Sequence, residues 1–234
     1  MNFSDRHVVV TGGTGALGVA VVGALIDAGA VCHVPWHTED EAEQFPHRGH
    51  RQVVLVGNTD LSDEAGVARL FDGVEQLWGS IHLAGGFAMS PVAKTGKAAL
   101  MHQIEMNLVT TFLCCRAAVN RMGAGSRNGG RIVNVAARPG LEWRGGAGMA
   151  AYTASKAGVA ALTAALAEEV AKDGILVNAV APSIMDTPTN RQDMPKANHA
   201  LWPKVEEVTK TILFLASPDN RVTRGAIVPV YGKS

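Results

Sequence analysis

Cysteine is scarce and unevenly placed. Cys32, Cys114 and Cys115 are three thiols at spacings that make no disulfide framework, and the N-terminus lacks the basic-then-apolar order of a signal peptide, so a cytoplasmic protein is expected. Net charge is missing as well: 21 basic residues offset 21 acidic ones, which leaves no global field to gather nucleic acid or an anionic membrane. The expected partner is instead a small neutral-to-anionic molecule held in a pocket. Gly or a charge interrupts every apolar run well short of a membrane span. The eight histidines are scattered without ligand spacing, so no metal is expected. The sequence holds neither an internal repeat nor a low-complexity segment.

What the chain does have is apolar content for a substantial core. Its 234 residues, 47% hydrophobic and 18% charged, fit one large α/β domain over residues 1–234. Apolar stretches at 7–10, 31–34, 52–56, 81–84, 131–136, 175–180 and 226–230 read as buried strands. Helical stretches at about 19–28, 63–76, 97–122, 152–172 and 205–216 lie between them, with a polar connection at 126–130. That alternation predicts a doubly wound, Rossmann-type domain, in which a central parallel seven-stranded sheet carries helices on both faces and ligands sit at the carboxyl ends of the strands. The 184–203 stretch, with Pro188, Pro195 and Pro203 and no clear period, reads as a lid or substrate loop.

The segment Thr11-Gly12-Gly13-Thr14-Gly15-Ala16-Leu17-Gly18 joins the first strand to the first helix. Its glycines permit a tight turn and close approach of backbone to a pyrophosphate, and the helix N-terminus offers N–H groups to phosphate. A ligand-free turn is the bland alternative, but the position between strand and helix favours binding. NAD sites place Asp or Glu at the end of the second strand, whereas NADP sites use a cation. Here the strand ends Pro35-Trp36-His37, without that carboxylate, a slight lean toward NADP(H); NAD(H) stays open because Glu39 and Asp40 follow closely. Trp36 either stacks on adenine or caps the strand end. Asp60 either accepts the adenine amino group or, like Ser62, caps the next helix. At Gly85-Gly86 the missing side chains would let a cofactor lie against the backbone.

The chemistry centres on Tyr152-Thr153-Ala154-Ser155-Lys156. On a helix, residues four apart share a face, so phenol and amine become neighbours. Ionising a tyrosine at pH 7 costs about 4 kcal/mol, and an ammonium about 4 Å away at an effective dielectric near 20 contributes a similar amount. Asn107 stands inside a predicted helix, where Asn is mildly unfavourable and usually marks a surface position.

In combination these residues resemble the short-chain dehydrogenase/reductase family over essentially the whole chain. The Thr11 to Gly18 turn, Asp60, Ala84-Gly85, Asn107, Asn134, Tyr152 with Lys156, and Pro182 through Thr187 stand in the family's order. The resemblance implies an NAD(P)(H)-dependent oxidoreductase that moves a hydride between nicotinamide and a small carbonyl, alcohol or quinonoid substrate. It implies that Tyr152 is the general acid/base, that Lys156 holds the nicotinamide ribose and lowers the Tyr152 pKa, and that Asn107 positions a proton-relay water. Thr187 would bond the carboxamide or a phosphate. The cofactor site would further include Gly12, Thr14, Gly15, Ala16, Leu17, Trp36, His37, Asp60, Leu61, Ala84, Gly85, Gly86, Pro182 and Met185, and the substrate site Ala137, Arg138, Met149 and Met194. A homodimer or homotetramer is implied, built partly from the helices that carry Asn107 and Tyr152.

The sequence departs from the family at two places. Ala16 replaces a glycine of the turn, and Ala136 and Ala137 stand where the family has a serine that donates to the substrate oxygen. Loss of such a donor is worth about 3–4 kcal/mol. Ala137-Arg138, Gly148-Met149, the Asp186 to Pro195 pattern and Trp202 are similar to dihydropteridine reductase, a family member that also lacks the serine. Ala137 also motivates a rival reading, a catalytically silent nucleotide-binding sensor or interaction protein.

Overall fold

A computed structural model describes residues 1–125 and 129–234. Positions 126–128 of the expected polar connection lie outside the described residues. Seven strands, β1 (His7–Thr11), β2 (Val31–Pro35), β3 (Val53–Val56), β4 (Leu77–His82), β5 (Gly130–Val135), β6 (Ile175–Pro182) and β7 (Ile227–Val230), form one sheet in the order β3-β2-β1-β4-β5-β6-β7. Every pairing is parallel. The helices are α1 (Ala16–Asp27), α2 (Glu39–Glu43), α3 (Glu64–Asp72), α4 (Lys97–Ile104), α5 (Thr110–Gly125), α6 (Arg138–Leu141), α7 (Ala150–Glu169), α8 (Pro188–Asp193) and α9 (Val205–Ala216). A π turn at Glu105–Val109 joins α4 to α5 without a break.

Successive side chains of a strand point to opposite faces, so each strand feeds two cores. Val8 and Val10 pack with Val21, Val22 and Leu25 of α1 and Val208 and Ile212 of α9. Val9 packs on the other face with Leu70 and Phe71 of α3 and Leu113 and Met122 of α5. Burial on both faces explains why these strands read as continuous apolar runs. The strand order reverses beside β1, between β2 and β4, which opens a crevice at the carboxyl ends of the strands.

Several element boundaries differ from those expected. The fourth strand is Leu77–His82, earlier than 81–84, because Gly79 and Ser80 interrupt its apolar pattern. Its Trp78 is held by tertiary contacts, with the Arg6 guanidinium 3.7 Å over the ring and the indole N–H donating to Ala216 O at 3.0 Å. The helix expected at 63–76 stops at Asp72, with Gly73 as its C-terminal cap. The 184–203 stretch is not irregular throughout: it holds α8 and a 3₁₀ turn at His199–Leu201.

The turn after β1 depends on Gly12. Its φ is +65°, and a Cβ there would stand 2.7 Å from Ala84 N and 2.8 Å from Leu83 C. Gly12→Ala should therefore cost about 1–3 kcal/mol in backbone strain and widen the crevice between β1 and β4. The expected result is a lower melting temperature with weakened dinucleotide binding; an unchanged melting curve would refute this account of the turn.

Candidate active site

Tyr152 and Lys156 sit one turn apart on α7, whose N-terminus faces the ends of β5 and β6. The Lys156 ammonium donates to Val135 O at 2.9 Å, which seats the helix on the last residue of β5. Burial pushes the Tyr152 phenol up to about 12 and the Lys156 amine down to about 8. In each case desolvation disfavours the charged form. The lowering of the phenol expected from Lys156 is not found: burial alone shifts it, and upward.

Asn107 is fully buried, not at the surface. The π turn points its amide at the loop after β4, where Nδ2 donates to Gly86 O at 3.0 Å and Oδ1 accepts from Gly86 N at 3.1 Å. A third bond runs from Nδ2 to Gln103 O at 3.1 Å. A single π turn inside an α-helix is a frequent mark of a functional site. A Cβ added to Gly85 would lie 2.5 Å from Asn107 Oδ1 and 3.4 Å from Lys156 Nζ, so the amide, the amine and this backbone converge. Tyr152 joins them through Phe87, whose ring meets the phenol edge-on at 5.0 Å.

Ala136 and Ala137 are buried at the end of β5 and offer no hydroxyl. The chain then forms α6 and a 3₁₀ turn at Trp143–Gly146 before α7. A Cβ at Gly140 would come within 2.8 Å of Lys156 C, so α6 lies directly on the helix that carries the amine. Arg138, expected at the substrate, is engaged elsewhere: Nε donates to Glu142 at 2.7 Å, Nη1 to Ser234 O at 2.7 Å, and the guanidinium lies over Tyr231. Met149 is the N-terminal cap of α7, and Met194 closes α8. Trp202 is buried against His199 and packs the loop. Thr187 caps α8, accepting from Asn190 N at 3.2 Å, and Met185 packs against the core; with Pro182 they stand at the carboxyl end of β6.

A cleft of about 300 Å³ opens beside the glycine turn. It brings together Gly12, Thr14, Gly15, Trp36, His37, Leu61, Ala84 and Gly85, all expected there. No side chain caps the N-terminus of α1 at Gly15, which leaves backbone N–H groups for phosphate. Leu17, also expected there, is not in the lining, and its side chain is in the core. Trp36 lies across Gly57, where a Cβ would come within 2.5 Å of its ring. Asp60 is exposed and accepts from Ser62 N and Oγ at 2.8 and 2.7 Å, while Asp63 caps α3. The Ser62 bonds hold the Asp60 carboxyl below the usual range, with a smaller pull from His37. Gly86 is taken by Asn107, and Ala16 is exposed at the start of α1. The sequence reading missed Pro35, Glu41, Thr59 and Leu83 in the lining. For Glu41 a signal existed: Thr38 before an acidic run is a helix-start pattern.

The uncapped helix N-terminus and the open backbone at Gly12 and Gly85 fit a dinucleotide, and half-buried Tyr152 stands beside them with buried Lys156 and Asn107. Fold and site together define a nicotinamide-dependent oxidoreductase. A family model described as short chain dehydrogenase matches residues 6–198, and the chain belongs to that family. It is similar to cis-4-hydroxycyclohexanecarboxylate dehydrogenase of Sinomonas cyclohexanicum, with 35% identity over 98% of this chain and 96% of that one. It is also similar to galactitol 2-dehydrogenase of Rhizobium johnstonii, with 36% identity over 96% and 93% of the two chains. A solved short chain dehydrogenase/reductase family protein superposes with a TM-score of 0.90 at 27% identity, covering 99% of this chain and 98% of that one. The protein is accordingly an NAD(P)-dependent dehydrogenase/reductase.

Lys156 carries a pH signature. Its folded pKa, near 8, lies below the ordinary value of 10.5, so its contribution to stability is present above 10.5 and lost as pH falls through 8. Relative to Lys156→Met, the native protein should gain on the order of 2–3 kcal/mol between pH 8 and pH 10. Denaturant unfolding of both proteins at these pH values measures it; parallel stability curves would contradict the burial of the amine.

Proposed function

We propose that this protein interconverts a small secondary alcohol and its ketone, with a quinonoid acceptor as the second substrate class, and that Tyr152 exchanges the proton. The observation that carries this reading is the convergence of Tyr152, Lys156 and Asn107 at the rim that also holds the dinucleotide cleft. The bound dinucleotide supplies or accepts the hydride. In reduction, Tyr152 donates its proton to the substrate oxygen and Lys156 stabilises the phenolate that remains. A phenol near 12 is already in its acid form at pH 7, so this direction requires no prior ionisation. Asn107 holds the Gly86 backbone and, through it, the wall against which the nicotinamide half would lie.

The names of both relatives carry a secondary hydroxyl, which supports the alcohol class. Around Tyr152 the rim is apolar: Phe87 and Met89 are 60% and 63% exposed, and Gly148 stands within reach of the Met89 methyl. The silent-protein reading is not favoured, since dehydrogenase relatives align along the whole chain. We further propose a substrate loop over 184–203, self-fastened by the Arg191–Asp186 ion pair, and a homodimer or homotetramer through the α5 and α7 faces that expose Phe112 and Ala161. A cytoplasmic location fits the three buried free thiols.

The test is a panel of cyclic and open-chain secondary alcohols, their ketones and quinones with either dinucleotide. Tyr152→Phe should lower turnover by at least about 100-fold with dinucleotide affinity unchanged. Activity that survives the substitution removes Tyr152 from the mechanism, and no turnover of any compound returns the silent reading.

A further inference from the structure

The adenosine end of the cleft holds a carboxylate where the sequence has none at the strand end. Glu41, on the short helix α2, lines the cleft with Trp36, His37 and Thr59. Its Oε2 accepts the His37 backbone N–H at 3.0 Å, which pins the side chain beside the residue that follows the end of β2. One oxygen is used by that bond, and the other remains for a second donor. Trp36 itself packs across Gly57, which turns the bulky ring along the cleft wall. The lining includes neither Lys nor Arg among the described residues. Asp60 lies close enough to His37 for their charges to interact, so a second carboxylate flanks the same edge.

We propose that Glu41 selects NAD(H) over NADP(H), by accepting the ribose 2′-hydroxyl and repelling a 2′-phosphate. The inference rests on the dinucleotide reading of the cleft. A carboxylate that accepts from a hydroxyl makes a short, charge-assisted bond. The same group opposes a phosphate of nearly two negative charges, and no lining cation offsets it. This reverses the slight lean toward NADP(H) drawn from Trp36. The carboxylate arrives from α2, after β2 has ended, and hydrogen bonding to His37 brings it to the site.

Fluorescence titration with NADH and with NADPH tests the proposal on the native chain, Glu41→Gln and His37→Arg. Glutamine keeps an acceptor for the His37 N–H and removes the charge. The native chain is expected to bind NADH at least about tenfold tighter, and Glu41→Gln to shrink that ratio by about tenfold. His37→Arg, which adds a cation at the same edge, should raise NADPH affinity with α2 intact. Tighter NADPH binding by the native chain, or an unchanged ratio in Glu41→Gln with a native melting curve, would overturn the assignment while leaving the oxidoreductase reading in place. Binding of neither dinucleotide by the native chain would overturn the cofactor reading of the cleft and this inference with it.

Discussion

The bond from the Lys156 ammonium to the Val135 carbonyl is the contact on which the candidate site depends. It places a buried charge on the last residue of a central strand and so joins helix α7 to the sheet at the height where ligands bind. A buried ammonium is costly unless its protons are used, which explains why its pKa falls. The phenol one turn away shares that low-dielectric setting and moves the opposite way. Both groups are therefore poised in their neutral forms more than free side chains would be, and an incoming anionic group would be felt strongly by the amine.

Asn107 does for the opposite wall what Lys156 does for α7. Its amide makes two bonds with Gly86 and a third with Gln103, and it stands in the π turn between α4 and α5. The glycines at 85 and 86 matter because a side chain there would displace the amide or Met106. Substrate-side construction is different in kind. Ala137 supplies no donor, Arg138 is bound to Glu142 and the Ser234 carbonyl, and the exposed groups near Tyr152 are Phe87 and Met89. The proposed substrate side therefore offers apolar area from Phe87 and Met89, and Tyr152 is its proposed proton donor.

Much of this was legible from periodicity and spacing. The buried runs of strands β1, β2, β5 and β6, the glycine turn and the four-residue step from Tyr152 to Lys156 are local patterns, because backbone geometry maps each onto a face or a turn. Even the last long helix, at 205–216, has the expected bounds. The losses came where tertiary contacts override local preference. Strand β4 differs from its expected place because Gly79 and Ser80 sit in the sheet by packing, not propensity, and α6 gives no local signal because its short run contains proline and glycine, although Gly140 packs on the Lys156 backbone.

Sequence alone determined the parallel α/β order, the phosphate turn and the pairing of phenol with amine, since each depends on residues close together along the chain. Tertiary structure alone decided where the charges act. It buried Asn107 against Gly86, withdrew Arg138 toward Ser234, and brought Glu41 into the cleft beside His37. Those outcomes turn on distances between segments far apart in the chain and on the solvent each group loses, and neither quantity is written in local pattern.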